Sequence, residues 1–185
     1  NIAIVHNGII ENYIEIKNKF FKNKILSSST DSEVLAHLIN HFAKENEILD
    51  AVHFAIKEVK GSYGIAVIDK RNPDKIICAR NGSPLIIGIG EKENYIASDI
   101  HALIEHTNKF VYLEDGDLAS VTFEEVKIFD QDKKNIRRET KKSSLTSKSN
   151  SKGDYEHFMM KEIFEQPEAV KSTLQDRIIN NKVPK

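Results

Sequence analysis

The chain has 185 residues, with 27 Lys plus Arg against 28 Asp plus Glu and a net charge of −1. So even a balance offers no field to hold nucleic acid or an anionic membrane, and 39% hydrophobic with 30% charged residues suits a soluble globular domain with room for a core. The single cysteine, Cys78, excludes an intrachain disulfide and a multi-cysteine metal site, and fits a reducing, cytoplasmic setting.

No apolar stretch approaches the roughly 20 residues needed to span a bilayer, and the start lacks a secretory leader pattern. The chain begins with Asn1 on a strand-like run, which reads as a piece cut from something longer. Residues 2–5, IAIV, predict a short buried strand that stops at His6-Asn7-Gly8. Asn12 to about Lys22 predicts a helix, with Tyr13, Ile16 and Phe20 at helical spacing. After the Ser27–Ser29 loop, Thr30 is placed to cap a helix, with Glu33 three residues on to bond back to the cap amide. Val34, Leu35, Leu38, Ile39 and Phe42 give that helix its apolar face, and Ile48, Val52, Ile56 and Val59 do the same for the next.

Beyond Gly61 the pattern changes to short strands, near residues 63–69, 75–80, 85–89, 95–97, 110–113, 117–122 and 126–129. Asn72-Pro73-Asp74 supplies turn chemistry between the first two, and Ser98-Asp99 a cap for a short helix through Leu103. Helices followed by closely spaced strands predict an α+β layering of helix on antiparallel sheet. Residues 139–154, rich in Lys, Ser, Thr and Asn, predict an exposed loop or linker. Two helices follow, His157–Glu165 and Pro167–Ile179, with Pro167 in the first turn of the second.

Several residues carry possible chemistry. In Asn7-Gly8, a side-chain amide and a backbone N–H stand side by side, and both can donate to one oxyanion; the same dipeptide is also the commonest tight turn. Asp31 lies in the first turn of a helix, where a carboxylate normally complements the dipole; it can also receive a substrate ammonium. Cys78, within an apolar strand, reads as a structural thiol. His37 and His41 are spaced i, i+4 without a third ligand, and read as solvated helix-face groups.

Taken in order, the segments HNGIIEN, STDSEVLAHL, GSYGIAVID, ARNGSPLIIG, YIASD, LEDGD and HFMMKEIFEQP resemble the glutaminase domain of class II glutamine amidotransferases. The match is to the branch whose acceptor is fructose 6-phosphate, and it covers residues 1 to about 178. The resemblance implies an N-terminal-nucleophile fold, a four-layer sandwich of antiparallel sheets between helices, incomplete here at the N-terminus. It implies a partial glutaminase domain at 1–138, a linker at 139–154, and a helical segment at 155–185 leading toward a sugar-isomerase domain that is absent.

It also implies roles. Asn7 and Gly8 resemble the oxyanion hole, and Asp31 the group that holds the ammonium of L-glutamine. Fructose 6-phosphate would be met through the isomerase domain, in a cytoplasmic homo-oligomer using neither metal nor redox cofactor and binding neither nucleic acid nor membrane. The family's nucleophile is an N-terminal cysteine with its own α-amino group as base. Residue 1 here is Asn, and the arginine that holds the glutamine carboxylate has no match, so the piece alone is expected to be inactive. Two other readings stand beside this one: another class II acceptor, as in amidophosphoribosyltransferase, and a glutamine-binding module without turnover. YIASD, LEDGD and residues 157–167 weigh against the first.

Overall fold

A computed structural model describes residues 1–22, 24–143 and 152–174. Two units separate, residues 1–145 and 146–185. In the first unit, strand β1 (Ile2–Ile10) does not stop at His6-Asn7-Gly8, as its sequence predicts. It continues through them, antiparallel to β2 (Gly61–Asp69), with Asn7 opposite Gly64, Gly8 opposite Tyr63 and Ile10 opposite Gly61. Glycine makes the continuation possible. Gly8 has φ +139°, and a Cβ there would lie 2.1 Å from the Ser62 carbonyl oxygen. Gly61 is its mirror across the ladder, with φ +127° and a Cβ position 2.1 Å from the Ile9 carbonyl oxygen. Any side chain at either position would push the two strands apart.

Three helices follow β1: α1 (Tyr13–Phe20), α2 (Asp31–Phe42) and α3 (Ile48–Glu58). Thr30 caps α2 as expected, its hydroxyl oxygen accepting from the Glu33 N–H at 3.3 Å. The reciprocal half of the box differs. The Glu33 carboxylate accepts from the Ser27 and Ser28 amides at 2.7 and 2.6 Å, gathering the preceding loop rather than the Thr30 amide. The Ser28 hydroxyl, which donates at 2.6 Å, and then the Ser27 amide hold the Glu33 carboxyl down to about 2, from an ordinary 4.5.

That shift sets a pH window. A carboxyl whose folded pKa is depressed stabilises the fold above its unfolded pKa, and the contribution disappears as pH falls through the folded value. Thermal melts should therefore show the native chain melting above Glu33→Gln at neutral pH. The difference should shrink below about pH 4.5 and vanish near pH 2. Coincident melting curves at every pH would show that Glu33 does not hold the loop.

The strands form two antiparallel sheets. One has the order β1-β2-β3-β7-β8-β9, with β3 (Asn72–Asn81), β7 (Leu118–Val121), β8 (Val126–Phe129) and β9 (Asn135–Ile136). The other has the order β10-β6-β4-β5, with β4 (Ile86–Ile89), β5 (Asn94–Ala97), β6 (Lys109–Tyr112) and β10 (Thr140–Lys142). The β2–β3 turn falls at Lys70-Arg71, not at the predicted Asn72-Pro73-Asp74, which opens β3 instead. The buried Asp69 carboxylate makes this turn, accepting from the Arg71 amide at 3.0 Å and its Nε at 2.8 Å. These bonds, the guanidinium's first, hold the Asp69 carboxyl below its usual range.

Alternation sorts the side chains of the first sheet. Ile10, Tyr63, Ile65, Val67, Ile77 and Leu118 meet α1–α3. Cys78, Ala119, Val121 and Ile128 face the other way and pack on Leu85, Ile87, Val111 and Leu113 of the second sheet's side. The far face of that sheet is covered by a single helical turn, Ile100–Ala102, over Ile86, Leu103 and Phe110. At the edge strand β1 the alternate row is open: Val5 is 69% and Ile9 67% exposed, and Asn7 lies between them.

In the second unit, α4 (Phe158–Leu174) runs unbroken through Pro167, where the sequence predicts two helices. Proline forfeits one backbone donor there, and i,i+4 and i,i+3 pairs on either side, Lys161–Glu165 and Glu168–Lys171, support the helix. The predicted extension to Ile179 lies outside the described residues. The predicted loop at 139–154 begins with the exposed edge strand β10, and its residues 144–151 also lie outside the described set. Among the described residues, no helix is long and apolar enough to cross a membrane.

Candidate active site

The end of β1 is stapled to the start of α2. The Ile10 N–H donates to Asp31 Oδ2 at 2.8 Å, and the Ser32 hydroxyl donates to Oδ1 at 3.3 Å. His6 Nδ1 lies 2.9 Å from the Ser32 oxygen. Asp31 is thus the first residue of α2, where the dipole favours a carboxylate, and also an acceptor for the strand two residues past Gly8.

Further along, Asn12 locks the turn that follows. Its side-chain nitrogen donates to the Glu58 carbonyl at 2.8 Å, and its oxygen accepts from the Lys60 N–H at 2.8 Å. The end of HNGIIEN is thereby tied to the loop entering β2. From there the pairing Gly8–Tyr63–Asn81 carries the site across three strands. Asn81 donates to the Gly61 carbonyl at 2.9 Å, and the Ser62 and Ser83 hydroxyls lie 3.2 Å apart. The Gly82 N–H donates to Asp115 at 2.8 Å, and the Arg80 guanidinium donates to the Ser83 and Leu113 carbonyls. Parts of four of the quoted segments, HNGIIEN, GSYGIAVID, ARNGSPLIIG and LEDGD, therefore meet at one end of the first sheet, and the last residues of ARNGSPLIIG continue into β4 of the second.

The nominated residues fare differently. Gly8 and Asp31 are brought to the same end of β1. Asn7 projects from the open face of the strand, exposed, and its carboxamide makes no hydrogen bond with any described residue, leaving its donors available. No hydrogen bond or ion pair joins Asn7 or Gly8 to Asp31. Cys78 is wholly buried between the sheets, and burial pushes its thiol up to about 12, so it is no thiolate near neutral pH.

Sequence reasoning passed over His6 and Ser32. His6 is half-buried, and its Nε2 is enclosed without a partner. Strand alternation was the available signal: with Asn7 on the open face, His6 must point to the helical side. Chemically, the end of β1 offers a free amide donor on its open face and a glycine whose backbone has no side chain to shield it, while the Asp31 carboxylate at the helix terminus is engaged by the Ile10 amide and the Ser32 hydroxyl.

Known proteins agree on the kinship. Residues 1–105 match the family model described as "Glutamine amidotransferase domain". The glutamine–fructose-6-phosphate aminotransferase (isomerizing) of Fusobacterium nucleatum is 45% identical over 175 residues, which are 94% of this chain and 29% of that protein. Its counterpart in Escherichia coli K12 is 44% identical over 185 residues, covering 99% of this chain and 30% of its own length. The chain thus spans about 30% of the length of the curated relatives it matches.

Among solved structures, the glutamine phosphoribosylpyrophosphate amidotransferase of B. subtilis superposes with a TM-score of 0.60 at 25% identity, over 74% of this chain and 30% of that one. The α+β amidotransferase fold implied by the sequence resemblance is therefore the fold observed. With the family model reaching from Asn1 through the strands that assemble the site, this chain belongs to the glutamine amidotransferase domain family.

Proposed function

We propose that this chain is the glutaminase portion of an enzyme that moves nitrogen from L-glutamine to fructose 6-phosphate, yielding glucosamine 6-phosphate. The observation that carries the acceptor is the reach of the similarity. The family model stops at residue 105, whereas the identity to relatives named for fructose 6-phosphate continues over as much as 99% of the chain. The amidophosphoribosyltransferase reading rests on 25% identity over 74% of it, and is the weaker one.

In this reading, a thiolate attacks the glutamine carboxamide carbon and electrons move onto the carbonyl oxygen. The Asn7 carboxamide and the Gly8 N–H donate to that oxygen as it becomes negative. The C–N bond breaks, nitrogen leaves as ammonia after taking a proton, and water releases glutamate from the thioester. Asp31 holds the substrate ammonium throughout. Cys78 is the sequence's one cysteine and is buried, so the attacking sulfur comes from outside these 185 residues. The stretch from residue 155 leads toward the domain that binds the sugar phosphate, in a cytoplasmic homo-oligomer.

The test uses the full-length enzyme that carries this segment. It should release glutamate from glutamine and form glucosamine 6-phosphate when fructose 6-phosphate is supplied. Glutamate release coupled to phosphoribosyl pyrophosphate instead, or glutamine binding without turnover, would overturn the proposal. In the same enzyme, Asp31→Asn keeps an acceptor for the Ile10 amide but loses the charge. It should raise the KM for glutamine about 10- to 100-fold with a smaller change in kcat, the worth of one charge-assisted contact made before and during attack. An unaltered KM would remove Asp31 from the glutamine site.

A further inference from the structure

A separate recess of about 450 Å³ opens beside the C-terminal half of α3, lined by His53, Lys57, Lys60, Tyr63, Asn81 and Asp132 among others. Its size falls in the range of small-molecule sites. His53 is only 5% exposed, and its Nδ1 is buried with no hydrogen-bond partner. That nitrogen is shut off from solvent, so the ring borders the recess without aiming its orphaned atom into the open space.

The surrounding groups indicate which ligand. Lys57 lies one turn beyond His53 on the same helix face, and Lys60 follows in the loop. Neither ammonium has a carboxylate within ion-pair distance among the described residues. Asp132 supplies the recess's one carboxylate, so the lining carries a net positive charge. Tyr63 is buried, and burial, then the charge of Asp115, pushes its phenol up to about 12, so it stays protonated. Burial, then the charge of Lys57, lowers His53 from its usual value, so its ring is neutral near pH 7 with one N–H to donate, while Asp132 acts in the opposite sense. A phenol O–H and two ammonium groups share the recess with the Asp132 carboxylate and the side-chain amides of Asn81 and Gln131, beside the His53 ring.

We infer that this recess binds a small oxyanion, with Lys57, Lys60 and the Tyr63 hydroxyl as its principal donors and the His53 ring beside it as a reporter. The site is distinct from the glutamine residues and does not depend on the proposed reaction. Asn7, Gly8 and Asp31 do not line it, and Tyr63 is its link to them, as the cross-strand partner of Gly8.

The experiment titrates sodium phosphate into the full-length enzyme that carries this segment, at constant ionic strength. Histidine ring nitrogens are followed by NMR, and binding is measured by equilibrium dialysis of labelled phosphate. A parallel titration uses sodium acetate. Phosphate should shift the His53 ring signals saturably, and Lys57→Met and Lys60→Met should each weaken binding about tenfold. Both lysines are exposed, so the variants keep the fold. A stronger response to phosphate assigns a tetrahedral anion and a stronger response to acetate a carboxylate, and either supports the site. No saturable His53 shift with either anion would mean that the recess holds water only, and equal binding by the lysine variants would show that these donors do not form it. Each of those results overturns the inference.

Discussion

Asn7→Ala, made in the full-length enzyme that carries this segment, should slow glutamine hydrolysis about 10²–10³-fold and change glutamine binding only a few-fold. The asymmetry comes from when the contact matters. The ground-state carboxamide oxygen carries little charge, whereas the oxygen of the tetrahedral intermediate carries nearly a full one, so a donor aimed at it lowers the barrier more than the binding energy. The fold makes this substitution clean. Asn7 is exposed on β1 and its carboxamide bonds to no described residue, so truncation removes no packing and orphans no partner. Steady-state kinetics decides the matter: an unchanged kcat, or a fall in affinity as large as the fall in rate, would remove Asn7 from the oxyanion contact.

Gly8→Ala should have the largest effect on the fold. Its φ of +139° lies where a side chain is strained, and the added Cβ would sit 2.1 Å from the Ser62 carbonyl oxygen. That oxygen belongs to the paired strand and is held by the ladder from Ile2 to Ile10, so it has no easy way to retreat. Strain and overlap together should cost about 2–6 kcal/mol. Urea denaturation should show a large loss of midpoint for Gly8→Ala, while Asn7→Ala, one residue away on an exposed position, stays within about 0.5 kcal/mol of the native chain. Equal midpoints would mean that the close approach of β1 and β2 at this point is not real. The pair of variants would also separate the two proposed roles, Asn7 acting on chemistry with the fold intact and Gly8 on both.

Much of this molecule can be followed from local pattern. The α2 cap is an example. Thr30 accepts from an amide three residues on, and the apolar positions Val34, Leu35, Leu38 and Ile39 form the face that is buried. Cys78, between Ile77 and Ala79 in an apolar run, ends in the intersheet core. The departures have one theme. Pro167 sits inside α4 although its chemistry suits a helix start, because one missing donor leaves the helical pairs around it in place. Asn72-Pro73-Asp74 has turn chemistry, but the turn forms at Lys70-Arg71, because the buried Asp69 draws the Arg71 amide and guanidinium into it. In each case a contact outranked the local preference.

What sequence alone determined is the helix caps, the apolar faces and the family. Helix caps, apolar stripes and the quoted segments depend on residues a few positions apart, or on order along the chain, and both are visible without coordinates. Only the tertiary structure decided that β1 runs through Gly8 rather than ending there, that Asp31 receives the Ile10 amide, and that Gly8, Tyr63 and Asn81 form one row. The physical reason is separation. Gly8 finds its place through Tyr63 and Ser62, more than fifty residues away, and a sheet register is settled by the whole ladder and the core it buries, not by any residue within it.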